Sequence, residues 1–412
     1  MALSITQTPA NVSPAQSPIV FTVNETGGVL LSSSFQYYAD LYYWTGSSNQ
    51  SASVDYTLVK YPNTSGRGIF DFSRILNSTL TDLAQANTSN VKYYAADFYW
   101  QYRDGTAFVT SSHVKSSTYK VVDGYSIFQE PIGQAIQSKT PFWPLMTDGP
   151  ATQSVLPENV GTMGVYIGTT GGSQPNQLIY TALNNGSILE TASVPLTASL
   201  SSSQQIYQFS IGPTDVDFPL SPQYSEYDFK VQAAIDDVNV GQALYFQNVC
   251  KQKYPNIRIK WKNRYGQFDW FNFYMVNRQG FQATKRTYQP QLGTWNGSSL
   301  SYQDYDSSTL NYISDSSQTL SVNTNYVSED YNDIFKQLLV SDEIYWVYVE
   351  GLPGSPWSFG FDDNGYGGGT ATTKLRPITI KTDSIVFKTG VVDKTIQYGF
   401  DFDWGQSYKL II

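Results

Sequence analysis

Histidine and cysteine occur once each in these 412 residues, and charged side chains make up only 14%, against about a quarter in ordinary globular chains. Each scarcity excludes a class of chemistry. One cysteine, Cys250, forbids an intramolecular disulfide, and a small apolar strand residue is expected there rather than a reactive thiol. Zinc needs more His and Cys than the chain holds. A Ser-His-Asp triad would have to use His113, which sits in Ser111-Ser-His-Val-Lys115 with no Gly-x-Ser-x-Gly elbow nearby. A loop or strand-edge histidine is expected instead. Lys and Arg number 25 against 34 Asp and Glu, a formal net charge of −9, which argues against nucleic acid as a partner because phosphate contacts need clustered cations. The chain has no run of about 18 apolar residues, and it does not open with the basic and apolar regions of a signal peptide. A soluble protein without a membrane partner or a cleaved export signal is expected. Eight Asn-x-Ser/Thr triplets, at Asn11, Asn24, Asn49, Asn63, Asn77, Asn87, Asn185 and Asn296, are what a chain rich in those residues yields by chance.

The remaining candidate motifs fail on their spacing. Asp362-Asp363-Asn364-Gly365 offers oxygen ligands, but without further spaced acids and a closing Glu it reads as a turn rather than a calcium loop. The glycine run at Gly365 to Gly369 has no Lys-Ser/Thr after it, so it is not a phosphate loop. A carboxylate pair for glycoside hydrolysis is identified only by geometry. No catalytic, cofactor-binding or metal-ligating residue is assigned, and a non-enzyme is expected.

What the chain does have is aromatic mass: 15% of residues, with 32 Tyr and 9 Trp. That is the composition of many short strands whose faces Tyr and Trp cover. The expected fold is mainly β: tandem antiparallel β-sandwich domains, immunoglobulin- or fibronectin-like, with two short amphipathic helices. Residues 1–135 read as a first sandwich. Pro9, Pro14 and Pro18 punctuate an extended arm, which is expected to find partners on an adjacent subunit. Phe72, Ile75, Leu76, Leu80 and Leu83 then fall at helical spacing behind a capping Asp71. Between 138 and 150 the chain is rich in Pro, Gly and Trp, a boundary. Residues 151–250 give six short strands at regular intervals, a second sandwich, the last of them expected to pair with 257–262. Residues 251–412 form a third, β-rich domain. Its second helix carries Tyr331, Ile334, Phe335, Leu338 and Leu339 on one stripe behind a capping Ser328. Its last strand alternates Ile396, Tyr398, Phe400, Phe402 and Trp404 with polar residues.

The segment from Lys251 looks like a signature. Ile257, Ile259 and Trp261 alternate with Arg258, Lys260 and Lys262, the pattern of a half-buried strand with a solvated cationic face. Trp261-Lys-Asn-Arg-Tyr-Gly266 turns into Phe268-Asp-Trp-Phe-Asn-Phe273. This hairpin resembles a module of virion structural proteins of tailed bacteriophages. Two further stretches support the resemblance. Ser17-Pro-Ile-Val-Phe21 with Gly68-Ile-Phe-Asp-Phe-Ser73 resembles their first domain. Ser341-Asp-Glu-Ile-Tyr-Trp346 with Arg376-Pro-Ile-Thr-Ile380 and a final aromatic strand completes the pattern.

The resemblance implies a virion component of the tail, collar or baseplate, made in the host cytoplasm and released by lysis. It brings no catalytic residues. The partners it implies are further copies of the chain in a symmetric ring or oligomer, and other phage tail proteins. A receptor-binding tail protein that stacks glycan rings on exposed Tyr and Trp is the alternative. The absence of repeats or a trimeric stalk weighs for the ring or baseplate.

Overall fold

The structure, a computed structural model, describes residues 3–27, 30, 32–45, 53–80, 91–134, 136, 142–168, 175–196, 205–249, 254, 256–349, 373–387 and 396–405. Contacts group the chain into two compact units. The first is 1–251 with 261–270 and 330–342; the second is 252–260, 271–329 and 343–412. The fold is mainly β, with antiparallel and mixed sheets and two short helices.

The first unit opens with β1 (Ser4–Gln7), β2 (Val12–Pro14), β3 (Val20–Asn24), β4 (Gln36–Trp44), β5 (Tyr56–Lys60), β6 (Arg67–Asp71) and helix α1 (Ser73–Thr79). There follow β7 (Val91–Asp104), β8 (Ala107–Thr110), β9 (Val114–Lys115) and β10 (Tyr119–Val122). One sheet runs β1-β3-β6; the other runs β2-β10-β7-β4-β5, with β8 and β9 also on β7. Side chains of both sheets meet in one core, with Phe21, Val23 and Phe70 from the first against Tyr37, Tyr94 and Phe98 from the second. Phe21 and Phe72 lie edge to face, 5.7 Å apart, a favoured aromatic geometry.

The N-terminal arm corrects an expectation. β1 pairs with β3 antiparallel, Ser4 opposite Asn24, and β2 pairs with β10 in parallel, Val12 opposite Lys120. Leu3, Val12 and Ala15 are buried. The arm is therefore an intrinsic part of both sheets. Its prolines are accommodated because β2 ends at Pro14 and the Ala15 amide resumes bonding, donating to the Val122 carbonyl at 2.8 Å. The cap of α1 also differs. Phe72 occupies the cap position without a side-chain bond, while the Asp71 carboxylate accepts from the Ser73 and Ile19 amides. Leu83 lies outside the described residues.

All six strands expected in 151–250 are present, preceded by one more. They are β11 (Thr152–Val155), β12 (Thr162–Tyr166), β13 (Gln177–Asn184), β14 (Ser187–Pro195), β15 (Ile206–Ser210), β16 (Asp228–Ile235) and β17 (Val238–Asn248). Their order is β11-β17-β16-β13-β14, with β12-β15 a separate pair. Asn185 and Gly186 both have positive φ between β13 and β14, the two-residue turn that Asn-Gly favours.

The remaining elements are β18 (Ile257–Lys262), β19 (Phe268–Phe273), β20 (Arg278–Tyr288), β21 (Thr294–Trp295), β22 (Leu300–Ser301), β23 (Leu310–Asn323), α2 (Asn332–Val340), β24 (Ile344–Val349), β25 (Thr373–Ile380) and β26 (Gly399–Trp404). Seven of them form a sheet in the order β19-β18-β24-β25-β26-β23-β20. Contrary to the expectation from sequence, β18 does not pair with β17 but lies between β19 and β24. The edge of β17 is taken by β11, Thr152 opposite Tyr245. In β26 the alternation holds: Phe400 and Phe402 are buried, Gly399 and Asp401 exposed. The α2 stripe Ile334, Phe335 and Leu338 is buried. A 3₁₀ turn at Glu329–Tyr331 precedes the helix and moves its cap to Tyr331, so Ser328 is not the capping residue.

Candidate functional site

The cationic face expected on β18 is absent: Arg258, Lys260 and Lys262 are all buried. The physical reason is that each has an internal partner, without which burial of a charge is prohibitive. Arg258 donates to the Asn272 side-chain oxygen at 2.9 Å. The Lys260 ammonium lies over the Tyr345 ring, 5.2 Å from its centroid. Burial pushes its pKa down to about 8, with Glu343 opposing. Lys262 meets the Asp123 carboxylate at 2.6 Å, both side chains 6% exposed.

The turn after β18 belongs to the same network. The Asn263 carboxamide oxygen accepts from the Tyr265 and Gln267 amides, and its amide nitrogen donates to the Met146 carbonyl. Gly266 has φ +71, and a Cβ there would stand 2.7 Å from Asp123, so only glycine closes this turn. The Arg264 guanidinium pairs with Glu130 at 2.6 Å and with Asp148. Asp148 also accepts from the Tyr265 hydroxyl and from Gln337 on α2. Asp269 accepts from Thr147 at 2.6 Å, and burial pushes its carboxyl up to about 7, with Asp148 adding to the rise. These bonds hold residues 261–270 in the first unit. The network binds described residues of the chain to one another.

His113 is placed as a partly exposed strand-edge residue. Its Nδ1 is 3.1 Å from the Asp97 carboxylate and its ring stacks on Tyr99 at 4.4 Å. The nearby Ser111 hydroxyl accepts from the Trp100 amide instead. Among the described residues no hydroxyl is hydrogen-bonded to His113, and no group of three or more His, Cys, Asp or Glu is placed to hold a metal. Cys250 and Asp362, Asp363 and Asn364 lie outside the described residues. A cavity of about 180 Å³ is lined by Thr162, Tyr180, Tyr207, Phe209, Asp215 and Asp217. Asp215 is already engaged by the Ser210 hydroxyl and the Gly161 amide, and the Tyr180 hydroxyl by the Ser210 carbonyl.

The feature that sequence reasoning missed is a two-stranded ribbon. β20 and β23 pair from Arg278 opposite Ser321 to Tyr288 opposite Leu310, and every residue of β20 is exposed. Eleven residues at about 3.3 Å each make the ribbon roughly 35 Å long. Its distal loop carries the small β21–β22 hairpin around Asn296-Gly297, closed by the Asn296 side chain accepting from the Ser298 and Ser299 amides. Trp295, Tyr302 and Tyr305 are 64%, 72% and 84% exposed. The Asn-Gly pair was the signal available in the sequence.

No family model matches the chain, and no curated protein matches it. Solved structures similar to it include Drosophila OTK, extracellular domains 3–5, at 10% identity over 78% of this chain and 92% of that chain, with a TM-score of 0.21. A likeness at that score carries no argument about fold or function.

Proposed function

We propose that this chain is a non-enzymatic building block of a tailed-phage virion, working through protein–protein contacts in the tail, collar or baseplate. The observation that carries the reading is the β20–β23 ribbon. A two-stranded hairpin in water gains too little to be stable alone, and exposing Trp295, Tyr302 and Tyr305 on it leaves apolar area that a partner would cover. The resemblance of the Trp261-to-Phe273 hairpin and its companion motifs to phage virion proteins supports the same reading. Peptide mass spectrometry of gradient-purified particles from the source culture tests it. The chain is expected among the virion proteins at a fixed ratio to the others, and its absence from clean particles overturns the proposal.

The glycan-binding alternative has one observation in its favour, the same exposed aromatics at the ribbon tip, since aromatic faces also stack on sugar rings. Binding to a glycan array that disappears when Trp295 and Tyr305 are replaced by Ala would move the weight there.

A further inference from the structure

We infer that the cavity lined by Tyr207, Phe209 and Asp217 seats one cationic side chain, arginine or lysine, supplied by another protein chain. The inference deepens the assembly reading and rests on it only for the setting in a virion. The first observation is shape. Thr162 of β12, Tyr180 of β13, Val194 of β14, the outer half of β15 and the turn at 215–217 all contribute to its wall. Its volume is about 180 Å³, which falls below the size of a drug-sized site. It corresponds to roughly six water volumes, room for a single long side chain. The wall is set in advance. The Tyr180 hydroxyl donates to the Ser210 carbonyl at 2.7 Å, and the Tyr180 and Phe209 rings stand edge to face, 6.5 Å apart. The Asp215 carboxylate accepts from the Ser210 hydroxyl at 2.6 Å and from the Gly161 amide at 3.0 Å. A site ordered before its guest arrives loses little freedom on binding.

The second observation is charge. Among the described lining residues Asp215 and Asp217 are acids and none is a base. Asp217 is exposed, at the solvent side of the cavity. Burial raises the Tyr207 phenol above its ordinary range and Asp217 adds to the rise; burial raises Tyr180 further, with Tyr207 and Asp215 adding. The field of both carboxylates therefore reaches the cavity wall. It repels an anion and leaves a neutral guest without a charge partner, whereas it draws in a cation, the more strongly where water is displaced. The third observation is the aromatic wall. Tyr207 and Phe209 supply ring surface, which attracts a cation over its face. An arginine or lysine brings an aliphatic stem as well, and Val194 and Phe209 are apolar surface to cover it. Arginine fits better than lysine, because its planar fork matches a carboxylate and stacks on a ring.

Ligand-observed NMR titration of the full-length chain tests the site with four probes. They are acetylargininamide, acetyllysinamide, the neutral isostere acetylcitrullinamide and methyl glucoside. The two cations are expected to bind saturably, arginine the tighter and both more weakly in high salt. Acetylcitrullinamide is expected to bind about tenfold more weakly than acetylargininamide or not at all. Asp217→Asn is expected to weaken the arginine probe by about tenfold with melting unchanged, since Asp217 is exposed. Tyr207→Leu keeps apolar bulk and removes the ring, and is expected to weaken the same probe severalfold. The inference is overturned if neither cation binds, if citrulline or methyl glucoside binds as tightly as arginine, or if Asp217→Asn leaves the arginine affinity unchanged. If no cation binds while the chain is found in purified particles, the virion reading stands and only this site falls. If the cations bind as expected and the chain is absent from particles, the site stands and the virion setting falls.

Discussion

Replacing Asp269 by Asn isolates a carboxyl whose pKa burial drives to about 7. The side chain is 2% exposed and accepts from Thr147, with Asp148 close enough to oppose its ionisation. In the unfolded chain it titrates near 3.9. A carboxyl raised on folding is stabilising while protonated. That contribution is complete below about 4, declines as pH climbs toward 7, and is gone above it. Three pH units at about 1.4 kcal/mol each amount to roughly 4 kcal/mol, good to about a unit of pKa. Asn cannot ionise, so its fixed cost, a misfitted amide worth about 1–3 kcal/mol, does not vary with pH. The difference in melting temperature between Asp269→Asn and the parent is therefore expected to move in the variant's favour by on the order of 8 °C between pH 4 and pH 7.5. Differential scanning calorimetry over that range measures it, and subtracting the two proteins cancels the titration of the groups that do not interact with Asp269. Parallel curves would show that Asp269 is ionised inside the fold at ordinary cost, and the argument from its burial would fail.

Trp261→Ala and Phe402→Ala each empty a fully buried aromatic site and are expected to cost about 3–5 kcal/mol in chemical denaturation; little change in either midpoint would place that ring at a surface. Deleting residues 2–18 removes β1 and β2 and is expected to expose the first sheets to limited proteolysis, whereas a truncated chain as resistant as the parent would make the arm dispensable. His113→Ala is expected to shift the melting temperature by no more than a degree or two, because the histidine side chain is 46% exposed and exposed pairs contribute little; a large loss would assign its Asp97 contact a structural weight not argued for it.

The parts legible in the sequence are those where one face is buried and the other wet. β26 is the clear case: Phe400 and Phe402 go inward while Asp401 stays out, and a period of two needs no knowledge of the rest of the chain. β18 defeats the same logic. Its Ile257, Ile259 and Trp261 alternate with cations just as a surface strand does, yet both faces are covered. The partner of Lys262, Asp123, lies far back along the chain and cannot be inferred from local pattern. β1 and β2 were hidden for another reason. Strands of four and three residues are too short to display a period, and prolines at their borders read as an unpaired arm. The ribbon carries neither pattern, because β20 is exposed on both faces and burial is what writes a period into a strand.

Two sets of cations in this chain are placed in opposite surroundings. Arg258, Lys260, Lys262 and Arg264 are buried among named partners, where a charge left alone costs several kcal/mol. A wrong register of the β18–β19 hairpin would strand them all at once, so they exclude alternatives more than they add stability. Lys285 and Arg286 are exposed on the edge strand β20, where each is worth little to the fold. Charge on an edge strand has a different consequence: it disfavours pairing with another edge of like charge. One kind of placement specifies the register inside the fold. The other guards an exposed edge.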